Sequence, residues 1–295
     1  LFVSPLFLGR ERGVPGIGRM VGHRGRGEYY MCGNADEQAE SMTHAACAAA
    51  QPDVAEAAQG NADDETRAVL LGFLKGREYL FSLFHKLLGT LPSTELFTAA
   101  SSQESLAVVD MFDDGASPAP TELRAALSRC ADLVAQGEQG MQQAHDEYER
   151  LFFAPDNMVA APWESVYTTR ERALFQESTL AVRSWYERYL YIPAGYPRIP
   201  DDHIALMMHF LELTAARAIA HLEDGQLREL AKVLEDQAAF ERGHLLNWVF
   251  SYAQDMASSK THEVYPQLAQ AVADFVQLDV SVLDEMLEIV ASVAA

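Results

Sequence analysis

The sequence predicts an all-α protein, and three observations carry that reading. Apolar residues recur near every 3.6 positions from Asp63 onward, no stretch shows sustained period-two alternation, and Gly and Pro gather between the periodic segments. About ten to twelve helices in two lobes are expected. The expected boundaries are an N-terminal extension at 1–62, a lobe at 63–192, a proline-rich hinge at 193–200 and a second lobe at 201–295.

Each element follows from local signals. Residues 1–30 hold Arg10, Arg12, Arg19, Arg24 and Arg26 among seven glycines, against only Glu11 and Glu28. That composition reads as sequence foreign to the fold, with Met31 or Met42 as natural starts, and the short apolar piece Leu1–Leu8 precedes the arginines, the reverse of a secretory signal. Residues 34–62 are poor in large apolar side chains and are expected to form a frayed helix or a mobile arm. From Asp63 the stripe Leu70, Phe73, Leu80, Phe84 and Leu87 predicts a helix that Gly89 and Pro92 stop. Helices near 93–112 and 121–136 follow, separated by the Gly115–Pro120 break. Met141, Ala144, Tyr148, Leu151 and Phe152 stripe another, and 170–191 buries Val182, Trp185 and Tyr189. Pro193, Gly195, Pro197 and Pro200 then exclude a helix across the hinge. Beyond it, Ile204, Met207, Met208 and Leu211 stripe a helix ending near Gly225. A helix or broken pair over 226–257, with the break expected at Gly243, and one or two helices over 261–293 complete the chain.

Composition narrows the function. With 22 Lys+Arg against 43 Asp+Glu the formal charge is −21, which disfavours nucleic-acid binding because phosphate neutralisation needs clustered cations. Hydrophobic content of 49% with 22% charged residues is that of a packed globule. No run approaches the roughly 20 apolar residues that a membrane span requires. Cys32, Cys47 and Cys130 are odd in number and lack C-x-x-C spacing, so neither a disulfide framework nor a zinc knuckle is implied, and a cytoplasmic location fits.

Catalytic motifs are sparse. Glu241-x-x-His244 has the spacing of a bundle di-metal ligand pair, yet no second Glu-x-x-His copy exists, and His209 with Glu212 lacks a third ligand. Gly16-Ile-Gly18 and Gly72-x-x-x-Gly76 follow no strand, and no G-x-x-x-x-G-K-[ST] or G-x-S-x-G is present. No catalytic residue and no metal site is therefore assigned, although a metal-dependent enzyme with a helical core and a scaffolding helical protein stay open as alternatives.

Two segments are left over. Glu147–Pro155 leaves a helix and enters an aromatic-rich loop that ends in Pro162-Trp163-Glu164-Ser165-Val166-Tyr167. Such a loop either plugs the core or builds an apolar groove for a ligand. Pro200-Asp201-Asp202-His203-Ile204 opens a helix just past the hinge. One aspartate there is expected to cap that helix, and a histidine beside an acid is also a switchable hydrogen-bonding pair.

Taken in order, E-Y-x-R-L-F-x-x-P at 147–155, P-W-x-S-V-Y at 162–167, P-D-D-H-I at 200–204 and H-L-x-x-W at 244–248 resemble the TorD/DmsD/NarJ family of redox-enzyme maturation chaperones. The stretch at 175–186 and the segment Thr261–Phe275 also resemble family helices, so the likeness runs from about residue 63 to 280. The chain departs from many relatives in carrying Ala154 and Glu164 at positions where they have glycine. The resemblance implies a TorD-like helical bundle that performs no catalysis, binds the twin-arginine signal peptide and apo catalytic subunit of a molybdopterin oxidoreductase, and delays export until the cofactor is inserted. The positions it implicates in peptide binding, together with the neighbouring Tyr148 and Asp201, are Leu151, Phe152, Pro162, Trp163, Ser165, Tyr167, Asp202 and His203. It also implies weak guanine-nucleotide binding, which no motif supports, and either a monomer or a domain-swapped dimer. A cationic, apolar leader suits a strongly acidic receptor with an aromatic groove.

Overall fold

A computed structural model describes residues 54–153, 158–169, 174, 176–193 and 199–293, with side chains from Asp64 on. The expected extension up to residue 53, the loop residues Ala154 and Pro155, and hinge residues 194–198 lie outside that set. Among the described residues there are eleven α-helices and no strand.

The first helix, α1, runs Val54–Gly89 and so begins ahead of the boundary expected at Asp63. The segment expected as one helix near 93–112 is two, α2 (Thr94–Ala100) and α3 (Gln103–Asp110). The cause is local: the hydroxyls of Ser93 and Ser102 accept from the backbone N–H groups of Leu96 and Ser105, so each serine starts a helix of its own. Helix α4 (Ala119–Ala135) carries Pro120 in its first turn, where no N–H is needed. Gly137, at φ 66, then turns the chain into α5 (Glu138–Phe152), a left-handed conformation that favours glycine. Helix α6 (Glu164–Thr168) is a single short turn inside the aromatic loop, and α7 spans Glu177–Arg188.

Helix α8 (Ile204–Glu223) presents apolar side chains on almost every side and packs along the length of α1. The 226–257 region is a pair, α9 (Leu227–His244) and α10 (Val249–Ala257), and the break falls at 245–248, just past Gly243, which stays in the last turn of α9. The last segment is one helix, α11 (Tyr265–Val293), packed against α4, α9 and α10. A continuous apolar core runs from Leu80 through Phe84, Leu127, Met207 and Trp248 to Val276, so residues on both sides of the hinge share it. Gly76 of α1 lets the Phe112 ring lie close, since a Cβ there would meet it at 3.0 Å. A second cluster, including Leu74, Leu222, Leu234 and Met286, closes the other end of the α1, α8, α9 and α11 group.

Four helices are also joined through polar groups. Arg77 of α1 is fully buried; its Nε and Nη2 donate to the two oxygens of Asp279 on α11 at 2.7 and 2.8 Å, and its Nη1 donates to Gln237 Oε1 on α9 at 2.8 Å. Gln237 passes the chain on to the Thr214 hydroxyl of α8 at 2.9 Å. Glu241 lies 3.7 Å from Arg77, and burial with the nearby Asp279 carboxylate pushes its pKa well above the usual carboxylate range.

Candidate functional site

Helix α6 has five residues, far too few to persist alone, so its presence is a tertiary effect. Asp202 supplies much of it. One carboxylate oxygen accepts from the Ser165 N–H at 2.8 Å and the other from the Thr179 hydroxyl of α7 at 2.9 Å, with the aspartate fully buried. Backbone bonds from Glu164 N to Asp202 O (3.1 Å) and from Ile204 N to Pro162 O (2.9 Å) add an isolated antiparallel bridge between Trp163 and His203. An aspartate does cap a helix here, but the helix is α6, reached across the fold, and not α8 as expected.

His203 caps α8 instead. Its Nδ1 accepts from the Ala205 N–H at 3.1 Å, so the neutral ring carries its proton on Nε2. The carbonyl of the same alanine accepts from His85 Nδ1 at 2.8 Å, and His85 stacks on His209 at 4.3 Å. Burial pushes His203 down to about 3 and, helped by His209, His85 down to about 4. Both rings are therefore neutral near pH 7, and the histidine of the expected switching pair does not change charge in the physiological range. Asp201 faces elsewhere: its Oδ2 accepts from Arg183 Nε and Nη2 at 2.8 and 2.7 Å, and its carbonyl accepts from the Tyr186 hydroxyl at 2.9 Å.

The fourth motif joins this junction through Glu164. That carboxylate is buried, with Oε2 3.1 Å from His244 Nδ1 and Oε1 3.3 Å from the Asn247 amide nitrogen. Trp248 donates from Nε1 to the His244 carbonyl, and the half-buried Tyr167 ring stacks on Trp248 at 5.5 Å. Trp163 is half-buried too; its ring stands edge-on to His203 at 5.3 Å, and its buried Nε1 has no hydrogen-bond partner among the described residues. Ser165 Oγ is likewise buried and without a partner among the described residues, and Pro162 is buried.

The first motif sits against α11. Glu147 accepts three N–H bonds at the start of that helix, from Glu263, Val264 and Tyr265, at 2.9, 2.7 and 3.2 Å. Tyr148 and Leu151 are buried, and Tyr148 stacks on Phe152 at 4.6 Å while both rings meet Tyr265 edge-on. Phe152 is half-buried and Phe153 is 46% exposed, so the helix end offers an apolar edge.

Sequence reasoning missed Glu164, Thr179, Arg183 and Asn247 as parts of the junction. Glu164 had a signal, an acid in a loop of apolar neighbours; Thr179 and Arg183 had none, because a helix position shows its partner only after folding. Glu241 and His244, paired by spacing, turn toward different partners, Arg77 and Glu164. Among the described residues no group of three His, Cys, Asp or Glu side chains could hold a metal ion. Cys130 is buried and its thiol is pushed up to about 12, the environment of an inert cysteine.

The segments that meet in this junction also match known proteins. A family model described as the nitrate reductase delta subunit matches residues 116–254, from α4 into α10, which includes the Trp163, Asp202–His203 and His244–Trp248 segments of the junction. These matches fall in the TorD/DmsD/NarJ family that the sequence motifs resemble. It is 28% identical to the probable Tat proofreading chaperone DmsD of Haemophilus influenzae over 138 residues, 46% of this chain and 61% of that protein. It is 25% identical to the Tat proofreading chaperone DmsD of Salmonella typhi over 192 residues, 64% of this chain and 84% of that one. The chaperone protein TorD of Vibrio vulnificus is 25% identical over 167 residues, 57% of this chain and 74% of its own length. These family members are named as chaperones and not as enzymes. Among the described residues of this chain, no helix is long and apolar enough to cross a membrane.

Proposed function

We propose that this chain is a redox-enzyme maturation chaperone that binds the twin-arginine leader and the apo catalytic subunit of a molybdopterin oxidoreductase in the cytoplasm and delays export until the cofactor is in place. The observation that carries the reading is the junction at Trp163. Three motif segments distant in sequence converge there, and among the described residues they leave a half-buried indole whose buried N–H is unpartnered, two positions before a Ser165 hydroxyl that is likewise unpartnered. Unused buried polar groups are costly in a fold, so donors left at a half-exposed ring favour a bound partner. The Tat proofreading chaperones among its relatives support the same reading.

Within this site the named residues divide by what they touch. Trp163, Tyr167 and Phe152 are half-buried and can meet a leader, whereas Asp202 and His203 are consumed in holding α6 and α8 and act through them. Tyr148, Leu151, Pro162 and Ser165 are buried behind those rings. Burial of two or three apolar leader side chains at roughly 1.5–3 kcal/mol each, less association costs, gives binding of about micromolar strength. Calorimetric titration with a synthetic twin-arginine leader tests this. Trp163→Ala is expected to weaken binding about tenfold or more with the helical circular dichroism unchanged, and equal affinity in the variant would remove the assignment.

A further inference from the structure

Beside the junction, at the C-terminal end of α7, lies a cavity of about 210 Å³ whose walls include Arg183, Tyr186, Glu187, Tyr191, Ile192 and Asp201. It is smaller than the roughly 300 Å³ at which drug-sized ligand pockets begin, so it suits one side chain. Its chemistry is that of a guanidinium site: two carboxylates, two tyrosine rings and an apolar rim. The fold already shows a guanidinium bound there. Arg183 holds Asp201 with Nε and Nη2, yet Arg183 is one-third exposed while the Asp201 side chain is only 2% exposed. The carboxylate is thus dehydrated and fixed, by the Arg183 contact and through the Tyr186 bond to its own backbone, while the arginine stands at the solvent-facing mouth. At the same mouth Ile192 is 77% exposed, and the nearby Leu190 is 87% exposed at φ 57, a left-handed conformation that costs a leucine about 1 kcal/mol or more. Apolar side chains held out at such a cost beside a cation site match a ligand whose arginine is followed by apolar residues.

We propose that this cavity seats one arginine of the leader, which takes the place of Arg183 on Asp201. The inference rests on the leader-binding reading above and names the residue that would recognise the arginine. Exchange of one guanidinium for another keeps the buried carboxylate paired throughout, so the incoming arginine meets no fresh desolvation cost at Asp201. A lysine would not substitute, because its point charge cannot reproduce the two-pronged contact of a planar guanidinium. Arg183 then acts as an internal competitor that sets the threshold for leader binding.

The test is titration of the full chain with three synthetic leaders, carrying the arginine pair, two lysines or two glutamines. The wild type is expected to prefer the arginine leader over the lysine leader by about tenfold. Asp201→Asn should erase that preference. Arg183→Gln should tighten the arginine leader roughly fivefold and leave the glutamine leader unchanged, and Arg183→Lys, which keeps the charge if the glutamine variant fails to fold, should give a smaller gain in the same direction. Wild-type binding with no arginine preference, or a preference untouched in the Asp201 and Arg183 variants, overturns the cavity assignment alone. A wild type that binds none of the three leaders overturns the leader-binding reading and this inference with it.

Discussion

Ala205 shows how the junction works at the scale of single residues. Its backbone is held at both polar atoms by imidazoles, His203 accepting from the N–H, which requires that ring to be neutral, and His85 donating to the carbonyl, with burial rather than this bond keeping His85 neutral. In the unfolded chain each would titrate near 6.5; in the folded chain burial lowers them to about 3 and about 4. The unfolded state therefore binds more protons between those limits, so stability is fully present above about pH 6.5 and falls as the pH drops toward 4 and then 3. Urea midpoints at pH 7.5 and 5 should show that fall, and His85→Gln should flatten it. Asp202 makes a second residue-scale prediction. An asparagine can keep both bonds, its amide oxygen on the Ser165 N–H and its amide nitrogen on the Thr179 hydroxyl, so Asp202→Asn should hold leader affinity within about twofold. Asp202→Ala strands both partners and should cost about 1–3 kcal/mol in chemical denaturation, with leader affinity falling as well. A large loss of affinity in the asparagine variant would show that the charge itself is read by the leader.

At the scale of elements, the long helices and the short one have different origins. Helices α1, α8 and α11 were legible because their apolar stripes repeat over many turns, and the pattern needs only local periodicity. Helix α6 carries no such pattern and exists because Asp202, His244 and the Trp163–His203 bridge hold it. The split between α2 and α3 was written in the sequence as Ser102, but a serine inside an apolar stripe does not announce itself as a cap. The polar chain through Arg77 fixes the register of α1 against α9 and α11. Arg77→Met leaves Asp279 buried and unpaired and should cost about 3–5 kcal/mol, whereas Glu241→Gln should shift stability little, since that carboxyl is already driven toward its neutral form by burial and Asp279. Paired urea titrations of the two variants measure the contrast.

Charge governs how the whole molecule meets other molecules. A formal −21 repels nucleic acid and steers cationic peptides, and most described arginines are tied to a carboxylate or backbone carbonyl, as Arg67, Arg124, Arg129 and Arg242 are. The association rate of a twin-arginine leader should fall steeply between about 0.05 and 0.5 M salt while its dissociation rate changes little, because screening acts on encounter and the apolar contacts persist. Stopped-flow fluorescence of the leader with the chain reads both rates.

Periodicity, capping residues and motif order are local properties, and they were enough to give the all-α class, most helix positions, the family resemblance and the segments that meet at the junction. What those residues do there became visible only in the packed molecule. Asp202, His203 and Glu147 read as a ligand-facing pair and a motif acid, yet each spends its hydrogen bonds on the start of a helix, two of those helices distant in sequence. Arg183 emerged opposite Asp201 only once α7 had been laid against the start of α8. Partnership between side chains far apart in the chain depends on the packing of whole helices, and no spacing along the sequence encodes it.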